Sequence, residues 1–476
     1  MVLKIYNTLG REKQEFKPLK DGKVSFYYCG PTVYSVQQIG NMRGGVCADT
    51  IRRSLGYLGY EVNFVSNYTD VGHLTGDNEG DADLGEDRME KGARIEGLSP
   101  TEIADKYISI YEKDIKEMNI LSPTTICRAT NYIQEMIEMV QILMDKGFAY
   151  QTDLAIYFDI TKANNYTQLS GQNLEDLKSG AGVGDVVDSQ KRNPGDFAVW
   201  FFKVGKHLNA LQTWDSPWGK PDPRQGFPGW HIECSAMAKK HLGDTIDIHM
   251  GGIEHIPIHH TNEIAQSESA NGVKFANFWI HNEHLTVDGK KMGKSVGNIY
   301  TLEDIRKKNF DPTALRYFFL QAHYRSKQNF TWEALEAAHK GYIGLLNSLL
   351  NLSEAVGQVS EEFKNKFAEK LSDDFNLPQA LALVAEVLKS DLSNKDKLAT
   401  IFDFDKVLGL NLEKNNQSNQ GIKLEELSQE VQKLIEKRRV ARAEKDWGKS
   451  DEFREKIKSL GFLIKDTKSG IQIFEK

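Results

Sequence analysis

Cysteine is scarce in this chain: Cys29, Cys47, Cys127 and Cys234 are the only four in 476 residues, and they are widely scattered. So few thiols so far apart exclude a disulfide framework and point to a reducing cytoplasm, leaving metal binding or plain burial as their uses. No apolar run reaches the ~18 residues that a membrane-spanning helix requires. The opening "MVLKIYNTLGREKQEF" turns charged too early for the apolar core of a signal peptide. A strong basic excess is also missing, since the net charge is −7. That charge is unevenly spread: residues 422–476 hold 14 Lys and Arg against 11 Asp and Glu, a local +3 that leaves −10 for the rest. A basic tail on an acidic body fits contact with a polyanion, and fits a solvated helical appendage equally well.

What is present suits a globular protein of two to four domains, with 40% hydrophobic and 27% charged residues. "KVSFYYCG" alternates around Val24, Phe26 and Tyr28 and stops at Gly-Pro, which predicts a strand. "IGNMRGGVCADTIRRSLGYLG" places Met42, Val46 and Leu55 at helical spacing, and "YEVNFVSNYTD" predicts a second strand. A strand, helix and strand of these lengths make a βαβ unit and hence a parallel sheet. Ligands of such sheets bind beyond the carboxyl ends of the strands, where Cys29, Gly30 and Asn67 to Asp70 fall. "TIDIHMGG" and "ANFWIHNEHLTVDG" predict returning strands around the helix "TNEIAQSESANG".

Between these halves, residues 123–225 start with a helical pattern and become irregular and Gly-rich, as an insertion would. "GDNEGDADLGEDRMEKG" predicts a mobile surface loop; Asp77, Glu79 and Asp81 keep calcium-loop spacing, but Ala82 stands where the turn glycine is required. From Thr331 the pattern is helical, with Leu335, Tyr342, Leu345, Leu346 and Leu349 on one broad face. "EKNNQSNQG", 413–421, predicts a linker.

Three stretches carry candidate chemistry. In "IPIHHTNEIAQ" a helix starting just after Pro257 puts His259 and Glu263 on one face, as two ligands of one metal must be. "GWHIECSAM" sets Cys234 in a helical segment after a Pro-Gly turn. Cys29, Cys234, His259 and Glu263 could together form a tetrahedral zinc set, but spacing alone does not single them out, and His231 and His260 are equally eligible. "GKKMGKSVGN" lacks the first glycine of a phosphate loop, because Asp288 stands there. It reads either as a basic surface turn or as a mobile loop whose Lys291 and Lys294 reach polyphosphate, with Gly289, Gly293 and Gly297 permitting movement.

In chain order, "CGPTVY", "IGN" at a His-Ile-Gly-His-type signature, "SNYTD", "GWHIECSAM", "HHTNEIAQ", "KMGKS", "HYRS" and the tail "RRVARAEKDWGKSDEFREKIKSLGFLIKDTKSG" resemble cysteinyl-tRNA synthetase, a class I aminoacyl-tRNA synthetase. The likeness runs from about residue 3 to the C-terminus. It implies an α/β fold: a Rossmann-like catalytic domain (1–122 and 226–278) split by a connective insertion (123–225). A lysine-loop and stem-contact region (279–330), a helical bundle (331–412), the linker and an anticodon-binding domain (422–476) follow. It implies that Cys29, Cys234, His259 and Glu263 bind one Zn2+, which the substrate thiolate joins as a further ligand. Softness then separates sulfur from oxygen or methyl, where shape alone yields only about 1–3 kcal/mol per small group. Thr69 would hold the amino group of L-cysteine, Trp230 would close the pocket unless it is a core aromatic, and His249 would lie in the pocket unless it is a satisfied core histidine. Gly40 would admit adenine, Glu254 would take the ribose in place of the usual aspartate, and Lys291 and Lys294 would stabilise charge on Mg·ATP as pyrophosphate leaves.

Two signature positions depart from the family pattern: Gln38 stands for the first histidine and Asn41 for the last. Asparagine still donates a hydrogen bond, whereas Gln38 cannot carry a positive charge toward the phosphates. Gly293 replaces the usual serine, which matters less in a loop that needs flexibility. Arg438, Arg442, Lys445 and Lys449, at i, i+4, i+7 and i+11, predict one stripe along a helix that can follow the phosphates of tRNA(Cys). Trp447, Phe462 and Phe474 would stack on unpaired bases or pack the small domain. A monomer is the expected state. Two other readings are a non-catalytic tRNA- or cysteine-binding paralogue and an enzyme joining cysteine to an amino sugar.

Overall fold

The computed structural model describes residues 2–72, 87–172, 188–218, 224–293, 297–352, 356–419, 424, 427–467 and 470–475. Two compact units are present, Met1–His339 with Asn365–Ala382, and Lys340–Lys364 with Leu383–Lys476.

At the centre of the first unit is the expected parallel sheet. Its strands lie in the order Ala276–Asn282, Ile246–Gly252, Lys23–Tyr28, Glu61–Tyr68, Thr125–Arg128, every neighbouring pair parallel. Ile248 pairs with Phe26 and Met250 with Tyr28 across the join between the two halves. The strand order reverses at that join, and a crevice opens there beyond the carboxyl ends. Helix Ile39–Tyr57 connects the first two strands and buries Ile39, Met42, Val46, Ile51 and Leu55. Helices Trp230–Leu242 and His259–Asn271 flank the later strands. The second of these buries nearly its whole circumference, polar residues included, so its charged side chains must find partners inside the protein.

The insertion is more ordered than its sequence suggests. Thr125–Arg128 is the edge strand of the central sheet, so that sheet extends past residue 122. After helix Ile133–Asp145, an antiparallel sheet runs in the order Ala149–Gln151, Ala155–Phe158, Phe197–Phe202, Arg224–Pro228, Trp214–Ser216. Its strands are only 3 to 6 residues long, and Phe197–Phe202 (FAVWFF) is buried on both faces, so no alternation announces it. Of the expected acidic loop, residues 73–86 lie outside the described residues, while Arg88–Glu96 is a helix capped by the Asp87 side chain.

In the second unit, Leu412–Asn419 is a helix with Leu412 and Asn416 buried, where a linker was expected. The basic stripe is also broken. Arg438 and Arg442 lie on helix Gln429–Ala443, Lys445 sits in a turn at φ 58°, and Lys449 lies on a second helix, Trp447–Ser459. The break has a cause: the Asp446 side chain accepts the Lys449 N–H and starts a new helix. Arg438 is buried and the Arg442 guanidinium stands 5.5 Å from the Trp447 ring centroid. Leu427, Val431, Ile435, Ile457, Ile464 and Ile473 form the core here, with Phe462 packed against it and Trp447 exposed. The Phe474 side chain lies outside the described residues.

One buried cation holds the first turns of helix Ile39–Tyr57 in place. Arg43, 1% exposed, donates from Nε to Gln328 Oε1 (3.1 Å), and from its terminal nitrogens to the carbonyls of Glu283, His323 (3.3 Å) and Ser326 (2.8 Å). Gln328 lies on the strand Gln328–Phe330, which pairs with Leu285–Val287, and Leu285–Val287 pairs in turn with Lys290–Lys291. Arg43→Leu leaves those carbonyls without their donor and is expected to lower unfolding free energy in urea by about 3 kcal/mol. A loss below about 1 kcal/mol would mean that the carbonyls find other partners.

Candidate active site

A cavity of about 170 Å3 occupies the crevice at the strand reversal. Its lining includes Cys29, Gly30, Gly40, Asn41, Thr69, Trp230, Cys234, Glu254 and His259, so sequence-predicted residues from six segments of the chain meet here. Each is placed by a simple local cause. Cys29 continues the strand Lys23–Tyr28, its N–H donating to Met250 O (3.0 Å). At Gly30 the backbone runs against the neighbouring strand: its N–H donates to Asn67 Oδ1 (3.0 Å), and a Cβ there would overlap the Asn67 carbonyl. The same Asn67 amide donates to Thr69 Oγ1 (3.0 Å), fixing the hydroxyl at the cavity wall. Trp230 opens its helix and stacks on His259 with centroids 4.5 Å apart.

Cys29, Cys234, His259 and Glu263 converge, with their ligand atoms all within 4.8 Å of one another. Cys29 Sγ is 3.9 Å from Cys234 Sγ and 3.7 Å from Glu263 Oε1, and His259 Nε2 is 2.9 Å from Glu263 Oε1. The edges of a tetrahedron around an ion with bonds of ~2.0–2.3 Å run roughly 3.3–3.8 Å, so these four donors fit one ion. The electrostatics agree. Burial would raise the Glu263 pKa, but His249 and His259 carry it well below the carboxylate range. Burial works against protonation of His259, yet Glu263 and Cys234 outweigh it and hold its pKa at about 10. The hydrogen bond from Cys29 lowers Cys234, whereas burial pushes the Cys29 thiol up. A buried carboxylate held in its charged form beside two thiols and an imidazole makes a donor set that suits a cation. This Cys/His/Glu cluster is therefore a fit place for a metal.

His249 takes the core position that the sequence reading leaves open beside a place in the pocket. It does not line the cavity but is fully buried, its ring stacked on Trp279 at 4.5 Å and its Nε2 2.8 Å from Glu263 Oε2. It is thus a partner of the carboxylate. Of the other eligible histidines, His260 Nε2 lies 3.4 Å from Cys29 Sγ, while His231 Nδ1 lies 2.9 Å from His259 Nδ1.

Gly40 and Asn41, which also line the cavity, lie in the first turn of helix Ile39–Tyr57. Asn41 Nδ2 donates to Gln37 Oε1 (2.6 Å). A side chain at Gly40 would collide with the Met292 methyl, so the helix start and the lysine hairpin already touch. Gln38 caps the helix with extended backbone, its side chain makes no cap hydrogen bond, and it is not among the cavity-lining residues. Lys291 ends the exposed two-residue strand Lys290–Lys291, away from the lining, and Lys294 lies outside the described residues. Glu254 stands at the rim, 46% exposed and 3.7 Å from His284.

Asn282, Tyr111 and His255 are among the lining residues to which the sequence reading gave no role. Asn282 ends a parallel strand at the same edge as Cys29, so the strand count alone could have flagged it. Tyr111 arrives on helix Pro100–Glu117, and no spacing signal connects it to the cavity. His255 follows the strand Ile246–Gly252 in a short 3-10 turn, and burial lowers its pKa to about 4.

Residues 15–340 match the family described as tRNA synthetases class I (C) catalytic domain, and residues 424–473 match the cysteinyl-tRNA ligase anticodon binding domain. The chain is similar to the cysteine--tRNA ligase of Treponema denticola, at 42% identity over 495 residues and 98% of each chain. It is similar also to cysteine--tRNA ligase 1 of Burkholderia lata, at 41% identity over 100% of this chain and 97% of the relative. A methionyl-tRNA synthetase of Mycobacterium tuberculosis in complex with methionyl-adenylate superposes with TM-score 0.54 at 13% identity, over 83% of this chain and 91% of that one. A LeuRS–tRNA complex from Agrobacterium radiobacter gives 0.55 at 11% identity, over 84% and 85%. At such identities the likeness is one of fold, and it agrees with the α/β class expected from the sequence.

Gly30→Ala tests the cavity wall. The added methyl must push Cys29 or Asn67 aside, and metal affinity, read by competition with a chelator, is expected to fall at least about tenfold. An unchanged affinity would show that the strand end is free to shift.

Proposed function

The chain belongs to the cysteine--tRNA ligase family of class I aminoacyl-tRNA synthetases, and from that premise we propose that it activates L-cysteine with Mg·ATP and transfers it to the 3′ end of tRNA(Cys). The observation that supports this most is the convergence of Cys29, Cys234, His259 and Glu263, the first three lining the same cavity as Gly40 at the helix start. In this reading the four residues hold Zn2+, which when bound supplies a soft centre that selects the substrate thiol over a hydroxyl or methyl. Thr69, held by Asn67, receives the amino group, and Trp230 covers the side chain. Glu254 takes the ribose at the rim, and Gly40 lets the nucleotide approach the backbone.

With both substrates so placed, the cysteine carboxylate attacks the α-phosphate in line and pyrophosphate leaves. Positioning and charge stabilisation do most of this work. The N–H groups of the first helical turn, Asn41, Lys291 and Lys294 offset the growing charge, with Gln38 offering an amide donor. The terminal ribose hydroxyl of tRNA then attacks the adenylate carbonyl and AMP leaves. Arg442, Lys445 and Lys449, with Arg438 as a buried support, are the proposed tRNA side of the C-terminal unit. No described helix is long and apolar enough to cross a membrane, and a cytoplasmic monomer is the proposed working state.

A non-catalytic cysteine- or tRNA-binding role has one observation in its favour, Gln38. Joining cysteine to an amino sugar gives residues 424–473 no task.

ATP–pyrophosphate exchange decides between them. Cysteine is expected to support exchange, with serine and valine slower by about a thousandfold or more. Gln38→His is expected to speed exchange up to about tenfold and Lys291→Ala to slow it about a hundredfold. Zinc-loaded, folded protein that exchanges with no amino acid, even with tRNA added, would favour the binding role.

A further inference from the structure

The cavity-side quartet is not the only set of metal donors at this place. Cys29, His249, His260 and Glu263 form a second quartet whose ligand atoms also lie within 4.8 Å of one another, all four buried. Its edges are as suitable as those of the first. Cys29 Sγ lies 3.4 Å from His260 Nε2 and 3.7 Å from Glu263 Oε1, His260 Nε2 lies 3.9 Å from Glu263 Oε1, and His249 Nε2 lies 2.8 Å from Glu263 Oε2. The two quartets share one edge, Cys29 with Glu263. Glu263 presents Oε1 to Cys29, His259 and His260 and Oε2 to His249, so its carboxylate faces the donors of both quartets. They differ in depth: Cys29, Cys234 and His259 line the cavity, whereas His249, His260 and Glu263 do not.

Of the deeper pair, His260 is held as metal-ligating imidazoles usually are. His260 Nδ1 is 2.7 Å from His281 Nε2, and His281 Nδ1 is 2.8 Å from Thr8 Oγ1, which fixes the ring with Nε2 toward Cys29. The His249 ring is fixed by stacking on Trp279 (4.5 Å), and its buried Nδ1 has no hydrogen-bond partner among the described residues.

Resting on the metal reading above, we propose that His249 and His260 form, with Cys29 and Glu263, a second seat for the same metal ion, so that the chain retains the ion when a cavity-side ligand is lost. The consequence is an asymmetry. Cys29 and Glu263 are shared corners and each should be indispensable, while Cys234 and His259 belong to one seat and each should be replaceable.

Metal content of the purified full chain by atomic emission, and the visible spectrum of the Co2+-loaded chain, test this. Wild type should hold about one ion per chain with two-thiolate charge-transfer absorption. Cys234→Ala should still hold about one ion, with that absorption cut to about half, the mark of one remaining thiolate. His259→Ala, which keeps both thiols, should likewise retain the ion and gives a second route should Cys234→Ala fold poorly. Cys29→Ala should lose the ion, as should Cys234→Ala combined with His260→Ala. Folded Cys234→Ala and His259→Ala that are as metal-free as Cys29→Ala would overturn the second seat and leave the first intact. Retention unaffected by adding His260→Ala would overturn it as well. A metal-free wild type would remove both seats together.

Discussion

Glu263 is a carboxylate with no exposed surface, and the architecture around the cavity follows from keeping it charged there. An unpaired carboxylate inside a protein is several kcal/mol less stable than in water, so it must be surrounded by donors and positive charge or give up its charge. Here the helix that carries it also supplies His259 one turn earlier, the adjacent parallel strand supplies His249, and the strand end at Cys29 closes the group. Few folds bring a helix, two strand ends and a second helix to one point. The reversal of strand order in a parallel sheet does so as a matter of topology. Burial of the cluster in turn demands a dense surrounding of rings, and Trp230, Trp279, His255 and Phe275 supply it.

The nucleotide side of the cavity is held by a different device. Arg43 ties the helix to the turn after Asn282 and to the segment 323–328, while Ile39 N–H donates to Tyr300 O (2.9 Å) and Gln38 bridges Thr301. The lysine segment therefore leaves and re-enters the fold at two points fastened to the same helical turn. Lys291 is placed between those two points by the pairing of Lys290–Lys291 with Leu285–Val287. An in-line phosphate displacement needs a helix end whose geometry is held, and these fastenings hold this one.

What could be read in advance follows the range of the forces. Four of the five central strands were legible because each alternates or ends at a turn within a few residues, and His259 with Glu263 because a helix fixes their relation locally; the edge strand Thr125–Arg128 falls in the stretch assigned to the insertion. The family motifs supplied the long-range pairing of Cys29 with Cys234, which no spacing rule yields across 205 residues. The insertion sheet stayed hidden because strands buried on both faces lose their period. The turn at Lys445 stayed hidden because its left-handed residue is a lysine and not the glycine or asparagine that usually ends a helix, so the capping Asp446 was read through. His249 stayed open between pocket and core for a related reason: alternation says which face of a strand a residue takes, and both faces of this strand are buried.

Gln38 shows how far a signature can drift before the site must change. At that position the backbone has two tasks that no side chain performs: it ends the extended segment at the helix N-cap, and it pairs with Thr301 at the far foot of the lysine segment. Both survive any residue able to adopt φ −78° and ψ 156°, an ordinary extended conformation. The side chain's own contribution is a donor toward phosphate oxygens. A charged donor exceeds a neutral amide there by about 1–1.5 kcal/mol, the difference between charge-assisted and neutral hydrogen bonds. The helix N–H groups and the loop lysines act on the same charge and are untouched by the substitution. The arrangement therefore predicts a slower enzyme and not an inert one, because what histidine would add at this position is a small share of a charge already met from several directions.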